Sequence, residues 1–232
     1  MLTRTLALVL MMIVFLAGAG FAQEGPRLML DSGFSGEKLQ IKQIGAEARI
    51  IGNLAETRLT MTFFNPGSRN LAGELVFPLP EGAQVSGYAL DVNGVLVDGV
   101  AVEKEKGRVV FEKEMRKGVD PGLIEQVAGN SFKTRVFPIP PGGTRTIRVT
   151  YVSDLQYPSG RPVYHLPLYF KEPVGRFTLR LEAVKTGTAP KAVAGKLGDL
   201  TFKPWQEAFV AEAKAENVTL AEDVKVELPQ VA

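Results

Sequence analysis

Two stretches of the chain, VFPLPEGA at Val76–Ala83 and VFPIPPGG at Val136–Gly143, run a Val-Phe pair into prolines, a small-residue turn and another β-prone segment. Proline has no N–H to give a ladder and fixes φ. Val-Phe therefore finishes a strand, the chain turns on the Gly-containing tetrad, and EGAQVSGYAL or GGTRTIRVTYV begins the next strand. Both stretches read as strand terminators. Glu81 is the only titratable side chain in either, which leaves them without catalytic equipment. Nothing else recurs at their spacing, so a tandem repeat is not indicated.

The sequence on either side of them is β-like. In RLTMTFFN, Leu59, Met61 and Phe63 alternate with Thr60, Thr62 and Phe64, and in TRTIRVTYV, Ile147, Val149 and Tyr151 alternate with Thr146, Arg148 and Thr150. Period-2 alternation marks a half-buried strand. YALDVNGVLVDG places Asn93-Gly94 between two apolar runs, a type I′ hairpin signal. Val102–Gly118, VEKEKGRVVFEKEMRKG, is dense in helix formers with a terminal glycine, and is predicted to be the principal α-helix. Beyond Leu155, RPVYHLPLYF and RFTLRLEAV read as strands, TGTAPKAVAGKLGD as a loop, and QEAFVAEAKAEN as a short helix or a strand. This half is either a second β-rich unit or an extension of the first sheet. Residues 23–36, rich in Ser and Gly, are expected to be a flexible N-terminal stretch.

Composition bounds the chemistry. The chain opens with Arg4, an apolar run from Leu6 to Leu16 and small residues ending in Gly20-Phe21-Ala22, the layout of a signal peptide over residues 1–22 cleaved after Ala22. The run is shorter than the roughly 20 residues of a membrane span, so no stable span is expected after processing. Removing Arg4 lowers the formal charge from +2 to +1. With charges dispersed along the chain, nothing marks a nucleic-acid surface. There is no cysteine and one histidine, which excludes disulfides, thiol nucleophiles and Cys- or His-rich metal sites.

MTFFNP, GELVFPLPEGAQVSGYAL, EKEKGRVVFEKEMRKG and LIEQVAGNSFKTRVFPIPPGGTRTIRVTYVSDL follow one another in an order and spacing that resembles the VIT domain, the module of vault proteins and inter-alpha-trypsin inhibitor heavy chains. The resemblance covers about Leu39 to Leu155, and one departure is Gly107, where such domains commonly carry alanine. It implies a mainly antiparallel β-sandwich with one principal helix, here spanning residues 37–156, followed by a β-rich C-terminal extension over 157–232. Proteins of this kind usually continue into a von Willebrand type A domain with an Asp-x-Ser-x-Ser metal loop. The one look-alike, DSGFS at Asp31–Ser35, has Gly33 at a required serine and precedes the VIT region.

The remaining constellations favour structural readings. His165 lies in an apparent strand with Ser153 and Asp154 nearby in sequence, but no nucleophile-elbow pattern accompanies it, so a solvent- or carbonyl-facing histidine is expected. Asp91 and Asn93 imitate the start of a calcium loop, yet Leu96 occupies the position that needs glycine. Glu103, Glu105, Glu112 and Glu114 read as a solvated helix face, and Asn217 begins an Asn-x-Thr acceptor that matters only in a glycosylating host.

No catalytic, cofactor or metal site is therefore expected. The function expected is that of an exported, non-enzymatic interaction or scaffold module, in the periplasm, on the cell surface or outside the cell. Its expected partner is a protein, a von Willebrand type A domain in particular, received on Leu166, Leu168, Phe170, Trp205 and Phe209. The alternatives are a self-sufficient secreted binding module and, last, a hydrolase using His165.

Overall fold

The computed structural model describes residues 25–34, 36–92, 94–102, 123–127, 130–158, 160–198 and 200–229, and these form three β-sheets. The largest has eight strands, in the spatial order β14 (Lys203–Trp205), β15 (Ala208–Val218), β12 (Val174–Val184), β2 (Gln40–Ile51), β3 (Leu54–Phe64), β10 (Thr144–Asp154), β5 (Gln84–Val92) and β6 (Val95–Asp98). A five-stranded sheet runs β1 (Arg27–Leu30), β4 (Leu71–Pro78), β9 (Ser131–Ile139), β8 (Leu123–Val127) and β7 (Val100–Val102). A three-stranded sheet runs β11 (Val163–Leu166), β16 (Val224–Glu227) and β13 (Lys191–Val193). Pairing is antiparallel except for β2 with β12 and β7 with β8.

The two Pro-containing stretches carry the chain from one sheet to the other. β4 and β9 are antiparallel neighbours in the five-stranded sheet, and the strands that come after them, β5 and β10, are antiparallel neighbours in the eight-stranded one. The turns are alike in detail. Ala83 N–H donates to the Pro80 carbonyl at 3.1 Å and Gly143 N–H to the Pro140 carbonyl at 3.0 Å, with Gly82 at φ 76° and Gly142 at φ 62°. Positive φ at the third position requires glycine or its equivalent. The shared sequence frame is thus a shared inter-sheet turn, used at opposite ends of an antiparallel pair.

Alternation builds the core. Ala55, Thr57, Leu59, Met61 and Phe63 of β3 and Ile147, Val149 and Tyr151 of β10 point inward, as their period predicts, and Phe177, Leu179, Leu181 and Ala183 of β12 extend the same buried face. Both smaller sheets cover it. Phe77 of β4 meets Tyr151 with ring centroids 6.2 Å apart, and Tyr164 of β11 hydrogen-bonds Thr57 at 2.8 Å. One hydrophobic cluster contains residues from all three sheets.

Several expectations are corrected here. The stretch 23–36 is not a loose leader where it is described. β1 pairs with β4, and the chain continues into a short 3-10 turn at Ser32–Phe34. Leu28, Leu30 and Phe34 pack on the core, and Asp31 forms a two-armed ion pair with Arg135 at 2.7 and 3.2 Å. An open β4 edge offers a ladder to the N-terminal residues, and Gly73 leaves room for it, since a Cβ there would lie 2.6 Å from the Met29 carbonyl oxygen. The stretch TGTAPKAVAGKLGD holds β13 and a 3-10 turn at Gly195–Leu197, and QEAFVAEAKAEN is strand β15. The later half extends the first sheet rather than standing apart, because β12 zips along β2 from Val174↔Ile41 to Ala183↔Ile50. Of the helix expected over Val102–Gly118, Val102 closes strand β7 and the rest lies outside the described residues, as do Glu103, Glu105, Glu112 and Glu114; no α-helix occurs among the described residues.

Candidate interaction surface

The outer face of the eight-stranded sheet is the broad exposed surface of the molecule, and its rows can be read from the registers. One row runs Glu212, Arg180, Glu47, Arg58 across β15, β12, β2 and β3; the next runs Val210, Glu182, Arg49, Glu56. Signs alternate from strand to strand, and the ion pairs obey them: Arg180–Glu212 at 2.5 Å, Arg58–Glu47 at 3.2 Å, Arg49–Glu182 at 3.4 Å. Such a lattice neutralises itself, which leaves no basic footprint for a nucleic acid.

At one end the lattice gives way to apolar side chains. Trp205 pairs with Ala208 and Ala208 with Val184; one strand over, Ile51 pairs with Leu54. These residues come next after the inward pairs Ala183↔Ile50 and Ile50↔Ala55, so alternation turns them all to the outer face. Trp205 is 61% exposed, Ile51 51% and Leu54 46%, with Val184 half-buried between them. An apolar strip thus crosses the end of an otherwise charged face.

Trp205 is held out by a strained turn. Only Gln206 and Glu207 separate β14 from β15, and Gln206 adopts φ 46° although it is not glycine. Such conformations persist where the surroundings over-determine them. Here the Lys185 ammonium donates to the Gln206 carbonyl and lies 5.7 Å from the Phe209 ring centre, while the Lys185 N–H donates to the Glu207 carbonyl at 2.9 Å.

The sequence-based surface accordingly divides. Trp205 is exposed and Phe209 lies half-buried behind it on the opposite face of β15. Leu166, Leu168 and Phe170 are buried in the core beneath the three-stranded sheet, and no partner can reach them in this fold. Their apolar run reads equally as surface or core until the three-stranded sheet and the segment after it pack into the core cluster shared by the three sheets. Ile51 and Leu54 escaped notice, although the β2 and β3 alternation carried the signal that residues next to the inward Ile50 and Ala55 face out.

His165 is partly exposed on the side of β11 away from the core, and its partner is a carboxylate rather than a carbonyl. Its Nε2 lies 2.8 Å from Asp223 Oδ2, and the other Asp223 oxygen accepts the Leu168 N–H at 3.2 Å. The His165 hydrogen bond holds the Asp223 carboxyl below its usual value against the opposing effect of partial burial, with the charges of His165 and Lys225 and the Leu168 N–H adding to the lowering. Ser153 and Asp154, at the end of β10, are not hydrogen-bond partners of His165 among the described residues, so the histidine is oriented by a carboxylate and not by the neighbours the sequence suggested. Asp91 accepts the Gly94 N–H at 2.6 Å and caps the β5–β6 hairpin rather than a cation. Among the described residues, no group of three or more His, Asp or Glu side chains is placed to hold a metal, and no helix is long and apolar enough to cross a membrane.

Comparison with known proteins agrees with this β architecture. The family model described as the vault protein inter-alpha-trypsin domain matches residues 41–151. Human protein mono-ADP-ribosyltransferase PARP4 is 26% identical over 133 residues, 57% of this chain and 8% of that protein. Human inter-alpha-trypsin inhibitor heavy chain H3 is 23% identical over 221 residues, 85% of this chain and 25% of that protein. The chain spans a quarter or less of the length of these curated relatives. A solved structure from Legionella pneumophila, of a protein described as nutrient-binding, shares the fold with a TM-score of 0.54 at 13% identity, over 88% of this chain and 70% of that one. The segment running from β2 into β10, residues 41–151, is the part of this chain that matches the vault protein inter-alpha-trypsin (VIT) domain.

Proposed function

We propose that this chain is an exported, non-enzymatic interaction module that receives a protein partner on the apolar strip of Trp205, Val184, Ile51 and Leu54. The observation that carries the reading is the contrast on one face: a self-paired charge lattice ending in exposed apolar side chains led by a tryptophan on a clamped, strained turn. Contiguous exposed apolar surface marks interaction sites, and tryptophan is the residue type most enriched among binding hot spots. The VIT domain and the likeness to an inter-alpha-trypsin inhibitor heavy chain support a binding role over a catalytic one. The signal-like start of the sequence, outside the described residues, supports export, with a mature chain beginning at Gln23.

The partner we assign is a von Willebrand type A domain, the neighbour that VIT segments usually precede. The test is calorimetric titration of this chain with the purified type A domain encoded nearest to it. Trp205→Ala is expected to weaken binding at least about tenfold, the effect of losing a central aromatic anchor, while leaving the melting temperature unchanged because the ring is mostly exposed. Absence of binding by the unaltered chain, or equal binding by Trp205→Ala, overturns the assignment. Intact mass of the exported protein checks the start at Gln23.

A further inference from the structure

The eight-stranded sheet ends differently on its two sides. β14 is three residues long and carries Pro204, a blunted edge of the kind that prevents strand addition. β6 reads Val-Leu-Val-Asp, β-branched and apolar up to Asp98, with Val95 64% and Val97 50% exposed. No strand lies beyond it among the described residues. It has neither lysine, proline nor bulge, the usual devices that protect an edge.

The hairpin decides which backbone groups β6 leaves open. Val92 and Val95 close the turn, so their N–H and C=O groups bond each other, and orientation alternates along the strand. Val97 then faces β5 like Val95, and the series continues with Gly99 N–H donating to the Tyr88 carbonyl at 2.8 Å. Leu96 and Asp98 turn their N–H and C=O groups away from the sheet.

We propose that β6 pairs antiparallel with the β6 strand of a second copy of this chain, about a two-fold axis through Val97. The register is set by the open groups. Leu96 of each copy exchanges N–H···O=C bonds with Asp98 of the other, and the two exposed Val97 side chains lie beside each other. A one-residue shift presents groups already committed to β5. An axis on Leu96 sets Asp98 against Gly94, whose N–H is already given to Asp91, and an axis on Asp98 sets two carboxylates against each other, which is unfavourable. In the Val97 register each Asp98 keeps its own Arg148 at 3.4 Å. The contact is isologous and closed, so it yields a dimer and not a fibre. It is also small, so the dimer is weak and concentration-dependent.

Sedimentation velocity of the purified full chain, from low to high micromolar, tests this. The unaltered chain is expected to shift from monomer to dimer. Leu96→Pro is expected to abolish the shift without lowering the melting temperature, because it deletes an N–H that makes no bond within the chain. Should Leu96→Pro not fold, Val97→Lys carries the test, since it places a charge at the joint on an exposed position. A chain that stays monomeric throughout, or variants that dimerise as before, overturns the proposal. Loss of the dimer in Trp205→Ala with retention in Leu96→Pro also overturns it, by placing self-association on the apolar strip; the titration with a type A domain judges that strip separately.

Discussion

Thr57 is fully buried on β3, and its hydroxyl is 2.8 Å from that of Tyr164 on β11, with Tyr151 of β10 also hydrogen-bonded to it. Burial pushes both tyrosine hydroxyls well above the ordinary tyrosine value, and Thr57 offsets part of that rise. Tyr164→Phe leaves Thr57 short of a partner in an apolar setting and is expected to cost about 1–2 kcal/mol by denaturant titration. The direction of the shifts gives the sign of the pH effect. Neutral tyrosines are favoured in the fold, so their contribution is complete below the unfolded value of about 10 and declines as pH rises above it. Asp223 acts at the other limb. Its folded value lies below the ordinary 3.8, so its contribution is present above that value and disappears as pH falls through the folded one. Asp223→Asn is therefore expected to flatten the acid limb of a stability profile below about pH 4 while leaving the alkaline limb in place.

Among the elements, the two inter-sheet turns provide a paired test. Gly82 and Gly142 occupy the same position of equivalent turns, with open space where a Cβ would lie, so alanine there meets backbone strain and no clash. Each substitution is expected to cost about 1 kcal/mol, and the double variant about the sum, since the turns lie at opposite ends of the β4–β9 pair. Thermal unfolding of the two single variants and the double variant checks this. Gly73→Ala is a different case. The Met29 carbonyl fills the space, so the substitution has to push β1 off the sheet, and faster amide exchange at residues 28–30 would report it.

For the molecule as a whole, the parallel zip between β2 and β12 and the cluster shared by three sheets join the VIT segment to the strands C-terminal to it. Trp205 is the only tryptophan and sits on the far edge of the eight-stranded sheet, outside the family-matched segment. Its fluorescence and the far-UV dichroism are therefore expected to report one coincident unfolding transition. A chain ended at Asp154 loses β12 from the β2 edge and Tyr164 from Thr57, and is expected to aggregate or to unfold at a much lower denaturant concentration.

Local sequence was enough to specify the strands with one buried face and the turns between them. Leu59, Met61 and Phe63 alternate because a strand between core and solvent has to, and Gly94 and the Gly of each Pro turn are dictated by local backbone geometry. Composition was enough to exclude thiol and His-rich chemistry. Which apolar runs are surface depended on the assembled fold. Leu166, Leu168 and Phe170 are inside because they join the core cluster that the three sheets share, while Ile51 and Leu54 are outside because they come next after the inward pair Ile50↔Ala55 at a sheet end that no described segment covers. The same holds for His165, whose partner lies 58 residues away, and for Arg27–Leu30, which an unfilled edge on β4 turned into a strand. Alternation and turn chemistry act between neighbours in sequence, whereas burial and edge pairing depend on which distant segment arrives, and no local pattern records that.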